Sequence, residues 1–482
     1  MLFNSFEFIF FFLPFVYIIY FTLNSRHHII SAKLFLIGAS LFFYGWWNII
    51  YLPILFGSIL INYYIGRLIH ILKNTNQSRL VMLTGISANV LLLGYFKYTD
   101  FLITNINSVL DVEISLRDIA LPLAISFFTF QQIAYLVDSY RGETKEYNFL
   151  NYTLFISFFP QLIAGPIVHH KEMIPQFLQG HNRVRDYRNS SIGLFIFFLG
   201  LFKKVVLADT FAFWANSGFA DSESLSFVES WITSLSYTFQ IYFDFSGYTD
   251  MAIGAALLFN IKLPINFNSP YKARNIQDFW RRWHITLSRF LRDYIYIPLG
   301  GNRNGYYTTY LNLGITFFLG GLWHGASWTF VIWGLLHGSA LIFYNIWSRL
   351  GIKLNFIIAW ILTFNFINVT WIFFRSENFT QAIDVLTAMF GIKPFTIHFY
   401  LEQKLAFLHS LGVEFRMWSV IEESKKFVLF FIVALVVIGL KNSMQLMSDF
   451  KPNIKYGIMT LFLMLLSLLN LTQFSDFLYF NF

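Results

Sequence analysis

An all-α polytopic membrane protein is the fold class this sequence predicts, on three observations. Only 12% of its 482 residues are charged, against 56% hydrophobic. A soluble globular chain carries about 25% charged residues, so charge here is too sparse to cover a water-facing surface of this size. The apolar residues come in long runs, among them Phe8 to Phe21, Val81 to Phe96, Phe427 to Leu440 and Ile458 to Leu471. A helix needs about 20 mostly apolar residues to cross the hydrocarbon core, and the shorter runs recruit flanking Tyr, Trp or Ser. Finally, the basic residues fall in loops between the runs, which accounts for the formal net charge of +8 by the positive-inside rule and gives nucleic-acid binding little weight. Together these predict about 11–13 transmembrane or re-entrant helices.

The elements follow in order, within one membrane domain spanning 1–482. The first stretch, 1–117, holds four apolar runs with loops at Asn24–Lys33, Lys73–Arg79 and Lys97–Arg117. Met1 to Glu7 has no Lys or Arg and no small-residue cleavage site follows Phe21, so the first run reads as a retained span. The core, 118–374, begins with a more polar part carrying Pro122, Pro160, Gly165, Pro166 and Pro175. Proline and glycine at membrane depth break helices, and the freed backbone groups must find protein or water, so this part predicts broken chain lining an internal cavity. Further on, Lys262 to Arg303 contains eight Lys or Arg against Asp278 and Asp293, interleaved with Trp and Tyr. Such a basic, aromatic stretch predicts interfacial amphipathic helices on the cytoplasmic side. The last part, 375–482, reads as a polar loop to about Lys426, charged at Glu422–Lys426, and then two apolar spans.

Several residues carry possible chemistry. His324 lies in Gly320-Gly321-Leu322-Trp323-His324-Gly325-Ala326-Ser327-Trp328, inside an otherwise apolar stretch. Burying an ionisable group in a membrane span is costly unless it is used or paired. Imidazole can take and return a proton near neutral pH, and the flanking glycines would let a substrate approach closely. The alternative is a histidine satisfied by a backbone carbonyl. His284 lies 40 residues earlier; on a continuous helix it would share a face with Trp280 and Ser288. Arg281 and Arg282 then lie off that face and suit phosphates, either of a nucleotide donor or of lipid headgroups. His337 reads as a packing or hydrogen-bonding residue. Asp138 and Arg141 form an i, i+3 pair at a helix end. Asp244 and Asp250 read either as paired acid and base or as a polar re-entrant turn. Asn266, Asn268 and Tyr271 are expected on the cytoplasmic surface.

With no cysteine there are no disulfides, thiolate metal sites or cysteine acyl-enzyme. The chain has no Walker A loop, Rossmann fingerprint, His-Glu-x-x-His or Gly-x-Ser-x-Gly elbow, and the adjacent His27-His28 and His169-His170 are poorly spaced for a metal.

The run from Asp278 to Ser288, then Arg292 to Gly301, then Trp323-His324-Gly325-Ala326-Ser327-Trp328 resembles the membrane-bound O-acyltransferase superfamily, most closely its bacterial alginate O-acetyltransferase branch. Supporting segments are Phe43-Tyr44-Gly45-Trp46, Gly94-Tyr95-Phe96-Lys97-Tyr98, Phe158 to Ile167, Phe239 to Tyr248 and the tail Phe477 to Phe482. The resemblance implies a ring of helices around a central funnel, with His324 as catalytic histidine and His284 as a second functional one. It implies no bound cofactor and an acetyl group taken from a cytoplasmic donor, acetyl-CoA. The donor and tunnel contacts would be Arg281, Arg282, Trp280 and Trp323. It further implies a multi-pass bacterial plasma-membrane location amid lipids and an extracytoplasmic partner of the Ser-Gly-Asn-His esterase type. The acceptor would be a polysaccharide such as alginate or peptidoglycan. The competing reading is a transporter or flippase of a polysaccharide precursor, against which stands the lack of visible internal repeats. A passive scaffold would leave the two histidines unexplained.

Overall fold

The computed structural model describes residues 1–73, 75–144, 148–163, 165–393, 396–416, 420, 424–471 and 478. A π-helical turn Glu7–Phe12 runs into α1 (Leu13–Ser25), followed by α2 (Ile29–Gly45), α3 (Leu52–Ile71) and α4 (Asn76–Leu110). Pro53 sits in the first turn of α3, and Pro14 follows directly on the π-turn that leads into α1. The Thr75 hydroxyl starts α4 by accepting from the Ser78 N–H at 3.3 Å. The loop expected from Lys97 onward is helical as far as Leu110, because one lysine in a long apolar helix does not end it when partners are at hand.

The core opens with α5 (Ile125–Tyr140), then the short α6 (Phe149–Ser157), α7 (Phe159–Leu162) and α8 (His170–Leu178). This is the broken, buried chain the prolines predict. Its freed backbone groups are met by side chains: Ser40 Oγ accepts from the Phe159 N–H at 3.1 Å and Thr286 Oγ1 from the Ile167 N–H at 3.0 Å. Next come α9 (Tyr187–Phe202), a π-turn Lys203–Ala208, α10 (Asp209–Ala220) and the long α11 (Phe227–Leu258), which starts on a Ser226/Glu229 capping box. Helices α9 and α11 touch backbone to backbone. A Cβ on Gly200 would lie 2.5 Å from the Gly247 carbonyl oxygen, so glycine alone permits the approach.

Asp244 and Asp250 fall in the middle of α11, buried, which corrects the re-entrant turn expected there. Lys203 from the π-turn meets Asp250 at 2.7 Å, and Lys204 meets Asp244 at 2.6 Å. Both carboxylates are therefore ion-paired inside the helix packing.

The basic stretch yields α12 (Ile276–Trp280), α13 (Ile285–Leu291) and a π-turn Arg292–Tyr296, followed by α14 (Tyr306–His324), α15 (Trp328–Arg349) and α16 (Phe356–Arg375). Beyond Arg375 the expected polar loop contains α17 (Phe379–Met389), which buries Ala382, Val385, Ala388 and Met389 at helical spacing. Two three-residue parallel strands, β1 (Thr396–His398) and β2 (Glu414–Arg416), flank α18 (Glu402–Leu405). The chain continues in α19 (Ser424–Gly439), α20 (Ser443–Asp449) and α21 (Ile454–Leu469). Glu422 and Glu423 of the charged loop, and the tail Phe477 to Phe482 apart from Leu478, lie outside the described residues.

Among the described residues six helical stretches are long and apolar enough to cross a membrane, and α2 and α21 are shorter apolar helices. Of the remaining expected segments, α19 is a 16-residue helix with an apolar body, α11 and α14 are long with more polar residues, and the others are short and broken. Polarity is inverted relative to a soluble protein: Leu91 on α4 is 71% exposed while Gln132 on α5 is 0% exposed.

Candidate active site

His324 is the last residue of α14, and the chain leaves the helix in extended form at Gly325. His284 stands just before α13 with φ 42°, a left-handed conformation that a bulky residue adopts only when its surroundings hold it there. The strained residue breaks the helix between Trp280 and Ile285, so the continuous face expected for Trp280, His284 and Ser288 does not form. Ser288 still returns to this corner, its hydroxyl donating to the Trp280 carbonyl at 3.1 Å.

The break brings the two histidines together. Their ring centroids are 6.5 Å apart, and both side chains are buried. His324 sits in an aromatic cage, with Trp323 at 4.9 Å, Trp333 at 5.0 Å and Phe374 at 5.0 Å. Phe245 packs edge-on to His284 at 4.8 Å. His284 Nδ1 lies 3.2 Å from Asn266 Oδ1, which also accepts from the Thr286 N–H and hydroxyl. That oxygen is an acceptor in all three bonds, so Nδ1 carries the proton and Nε2 presents its lone pair. Asn266 was expected on the surface; it is fully buried and fixes this tautomer.

The glycines around His324 serve packing rather than substrate access. A Cβ on Gly321 would lie 2.4 Å from the Phe330 carbonyl oxygen, and one on Gly325 would run into the Phe330 ring. They let α14 and α15 close tightly around the histidine. His337 receives the Trp280 indole N–H on Nδ1 at 3.1 Å and meets Thr370 Oγ1 at 3.1 Å through Nε2, the hydrogen-bonding role expected of it.

A cavity of about 720 Å³ opens beside the site, lined by Arg281, Arg289, Arg292 and Arg349, with Trp280 and Phe317 against it. Arg289 is held by Glu172 in a bidentate pair and Arg292 by Asp293. Burial alone would raise the Glu172 carboxyl, but the Arg289 guanidinium outweighs it and holds the group below its usual range. Arg281 and Arg349 have no carboxylate partner among the described residues, and the Arg349 guanidinium lies over the Tyr306 ring at 3.7 Å. The Trp280 and Trp333 rings, 5.8 Å apart, stand between this cavity and His324.

Not every expected contact lines this cavity. Arg282 is paired with Asp278 at 2.8 Å. Trp323 stacks on Phe130 at 5.1 Å and borders a separate apolar cavity of about 990 Å³ between α4, α5 and α14. Asp138, expected at a solvated helix end, is buried and meets His170 at 3.0 Å and the Tyr294 hydroxyl at 2.9 Å.

Asn266 and Lys97 are neighbours of the two histidines whose contacts residue-by-residue reading missed. Lys97 on α4 donates to the carbonyls of Trp323 and His324. The signals in the sequence were a lone lysine interrupting apolar residues, within the Gly94 to Tyr98 segment that carries part of the family resemblance, and an asparagine near Pro270.

Residues 116–380 match the family model of the membrane-bound O-acyltransferases. The chain is 50% identical over 476 residues to a peptidoglycan O-acetyltransferase of Helicobacter pylori, covering 92% of this chain and 90% of that one. It is 39% identical over 402 residues to a probable alginate O-acetylase of Pseudomonas aeruginosa, covering 81% and 75%. A teichoic acid D-alanyltransferase of Bacillus subtilis is 26% identical over 273 residues, covering 53% and 69%.

Proposed function

Since the chain belongs to the membrane-bound O-acyltransferase family and is an O-acyltransferase, we propose that it carries acetyl groups from cytoplasmic acetyl-CoA across the membrane for O-acetylation of peptidoglycan. The observation that carries this reading is the likeness to the peptidoglycan enzyme over nearly the whole of both chains. The likeness to the alginate enzymes covers less of this chain, which makes alginate-type polysaccharide the second reading.

The site supports a division of labour. The phosphates of the donor would enter the arginine-lined cavity and bind Arg281 and Arg349, whose guanidinium groups have no competing carboxylate there. Positive-inside bias supports a cytoplasmic position for that cavity. The Trp280 and Trp333 rings would shield the thioester from water. His324 would act as the base that removes the proton from the accepting hydroxyl while its oxygen attacks the acetyl carbonyl. The same proton then goes to the departing thiolate. Transient acylation of the imidazole is the variant of this step open to a chain without cysteine. The lone pair on His284 Nε2 makes that ring a proton acceptor, suited to orient the incoming hydroxyl. An extracytoplasmic esterase-type partner would complete transfer to the glycan.

Removing Asn266 tests the second histidine. Asn266→Ala should free the His284 ring and lower acetylation by about 10-fold to 100-fold, the cost of a misplaced catalytic group. Wild-type acetylation in Asn266→Ala would take His284 out of the mechanism.

The decisive experiment is a deletion strain complemented with this chain, with base-labile acetate measured separately in peptidoglycan and in secreted polysaccharide. Restoration in peptidoglycan alone is expected. Restoration only in secreted polysaccharide moves the acceptor to the second reading, and restoration in neither fraction overturns both acceptors and places the acyl group on another envelope component. In inside-out vesicles, the Arg281→Gln/Arg349→Gln double variant should need about 10-fold more acetyl-CoA for half-maximal transfer. An unchanged requirement would place the donor elsewhere.

A further inference from the structure

We propose that α4 is the positioning strut of the catalytic turn, with Lys97 as its key residue; the proposal rests on the reading of His324 as the catalytic base. Because α14 stops at His324, the carbonyls of its last turn have no helical N–H to accept from. Two adjacent residues of α4 take three of them in succession. The Tyr98 hydroxyl donates to the Leu322 carbonyl at 2.6 Å, and the Lys97 ammonium donates to the carbonyls of Trp323 and of His324, the latter at 3.0 Å.

The grip continues past the histidine. Trp328, at the start of α15, donates its indole N–H to Asn105 Oδ1 at 2.8 Å and packs on Phe101 at 5.8 Å. Lys97, Phe101 and Asn105 are spaced i, i+4, i+8, so one face of α4 holds both ends of the turn between α14 and α15.

Close packing of α4 on α14 does not supply that hold. The 990 Å³ apolar cavity lies between the two helices, with Leu91 and Tyr95 on the α4 side and Leu319 and Leu322 on the α14 side. Across such a gap, the hold of α4 on the His324 backbone depends on the polar bonds. A lysine is suited to this: its three N–H groups serve two carbonyls at once, and only use or pairing offsets the cost of placing it at membrane depth. Without it the turn can shift, and a displacement of about 1 Å in a catalytic group costs up to about 100-fold in rate.

The test compares Lys97→Met, Lys97→Arg, Tyr98→Phe and His324→Ala in the complemented deletion strain. Base-labile acetate is normalised to the amount of protein in the membrane, and melting is followed in detergent. Lys97→Met should lose at least about 10-fold in acetate per molecule. Lys97→Arg, which keeps the charge and the donors, should recover most of it, and Tyr98→Phe should lose less than Lys97→Met. If Lys97→Met fails to accumulate, the Arg and Phe variants decide by the same measure. Acetate per molecule above half of wild type in Lys97→Met overturns the proposal, as does a Lys97→Arg variant as inactive as His324→Ala. Acetylation retained by His324→Ala instead overturns the catalytic reading beneath it, whatever the Lys97 variants do.

Discussion

His324→Ala is expected to leave the protein in the membrane at its normal level while base-labile acetate falls to background. A positioned general base contributes about 10²–10⁴-fold, and an acyl-carrying imidazole would contribute at least as much. Abundance should hold because the cage around the ring is tied together without it. Trp333 stacks on Trp371 at 5.8 Å and meets Phe374 at 5.1 Å. Trp323 is likewise held by Phe130. His324→Gln, which fills more of the space without the acid–base chemistry, should be equally inactive and controls for collapse of the cage. Substantial acetylation by either variant at matched abundance would falsify the assignment.

Removing one partner of the buried ion pairs is expected to act on stability first. Lys203 donates to Asp250 Oδ2 at 2.7 Å and to Ser443 Oγ at 2.5 Å, while Ser443 donates to the same carboxylate oxygen. Lys204 joins Asp244 to Asp209, at 2.6 Å and 2.9 Å. Both lysines and both α11 carboxylates have side chains less than 10% exposed. Breaking a buried pair from one side costs about 3–5 kcal/mol, because the remaining charge is stranded. Asp250→Ala should therefore lower the melting temperature and the amount of protein in the membrane. The double change Lys203→Met/Asp250→Leu, which removes both charges and keeps apolar volume, should recover much of that loss. An Asp250→Ala protein of normal stability that no longer acetylates would instead restore the acid–base role the sequence allowed for this carboxylate.

The two α11 carboxylates show where reading along the chain falls short. The closely spaced polar residues from Gln240 to Asp250 suggest a turn at a cavity mouth, yet the helix runs through them unbroken. Its satisfying partners lie some forty residues earlier, in a π-turn whose lysines interrupt an apolar run. Likewise the glycines flanking His324 mark a close approach, but their spacing alone does not say that the approaching atoms belong to Phe330 and Gly334 rather than to a substrate.

What the sequence determined by itself was the membrane class, the broken segment around Pro160 and the identity of the two histidines worth testing. These follow from run length, backbone constraint and residue chemistry, all of which are local. The tertiary structure decided that His284 faces His324 across 6.5 Å, that Asn266 fixes its tautomer and that Lys97 grips the end of α14. Each of these joins residues separated along the chain, by 18 positions for Asn266 and His284 and by 227 for Lys97 and His324. Only packing brings such residues together, and the cost of leaving a polar group unmet in an apolar interior then determines which of them must bond.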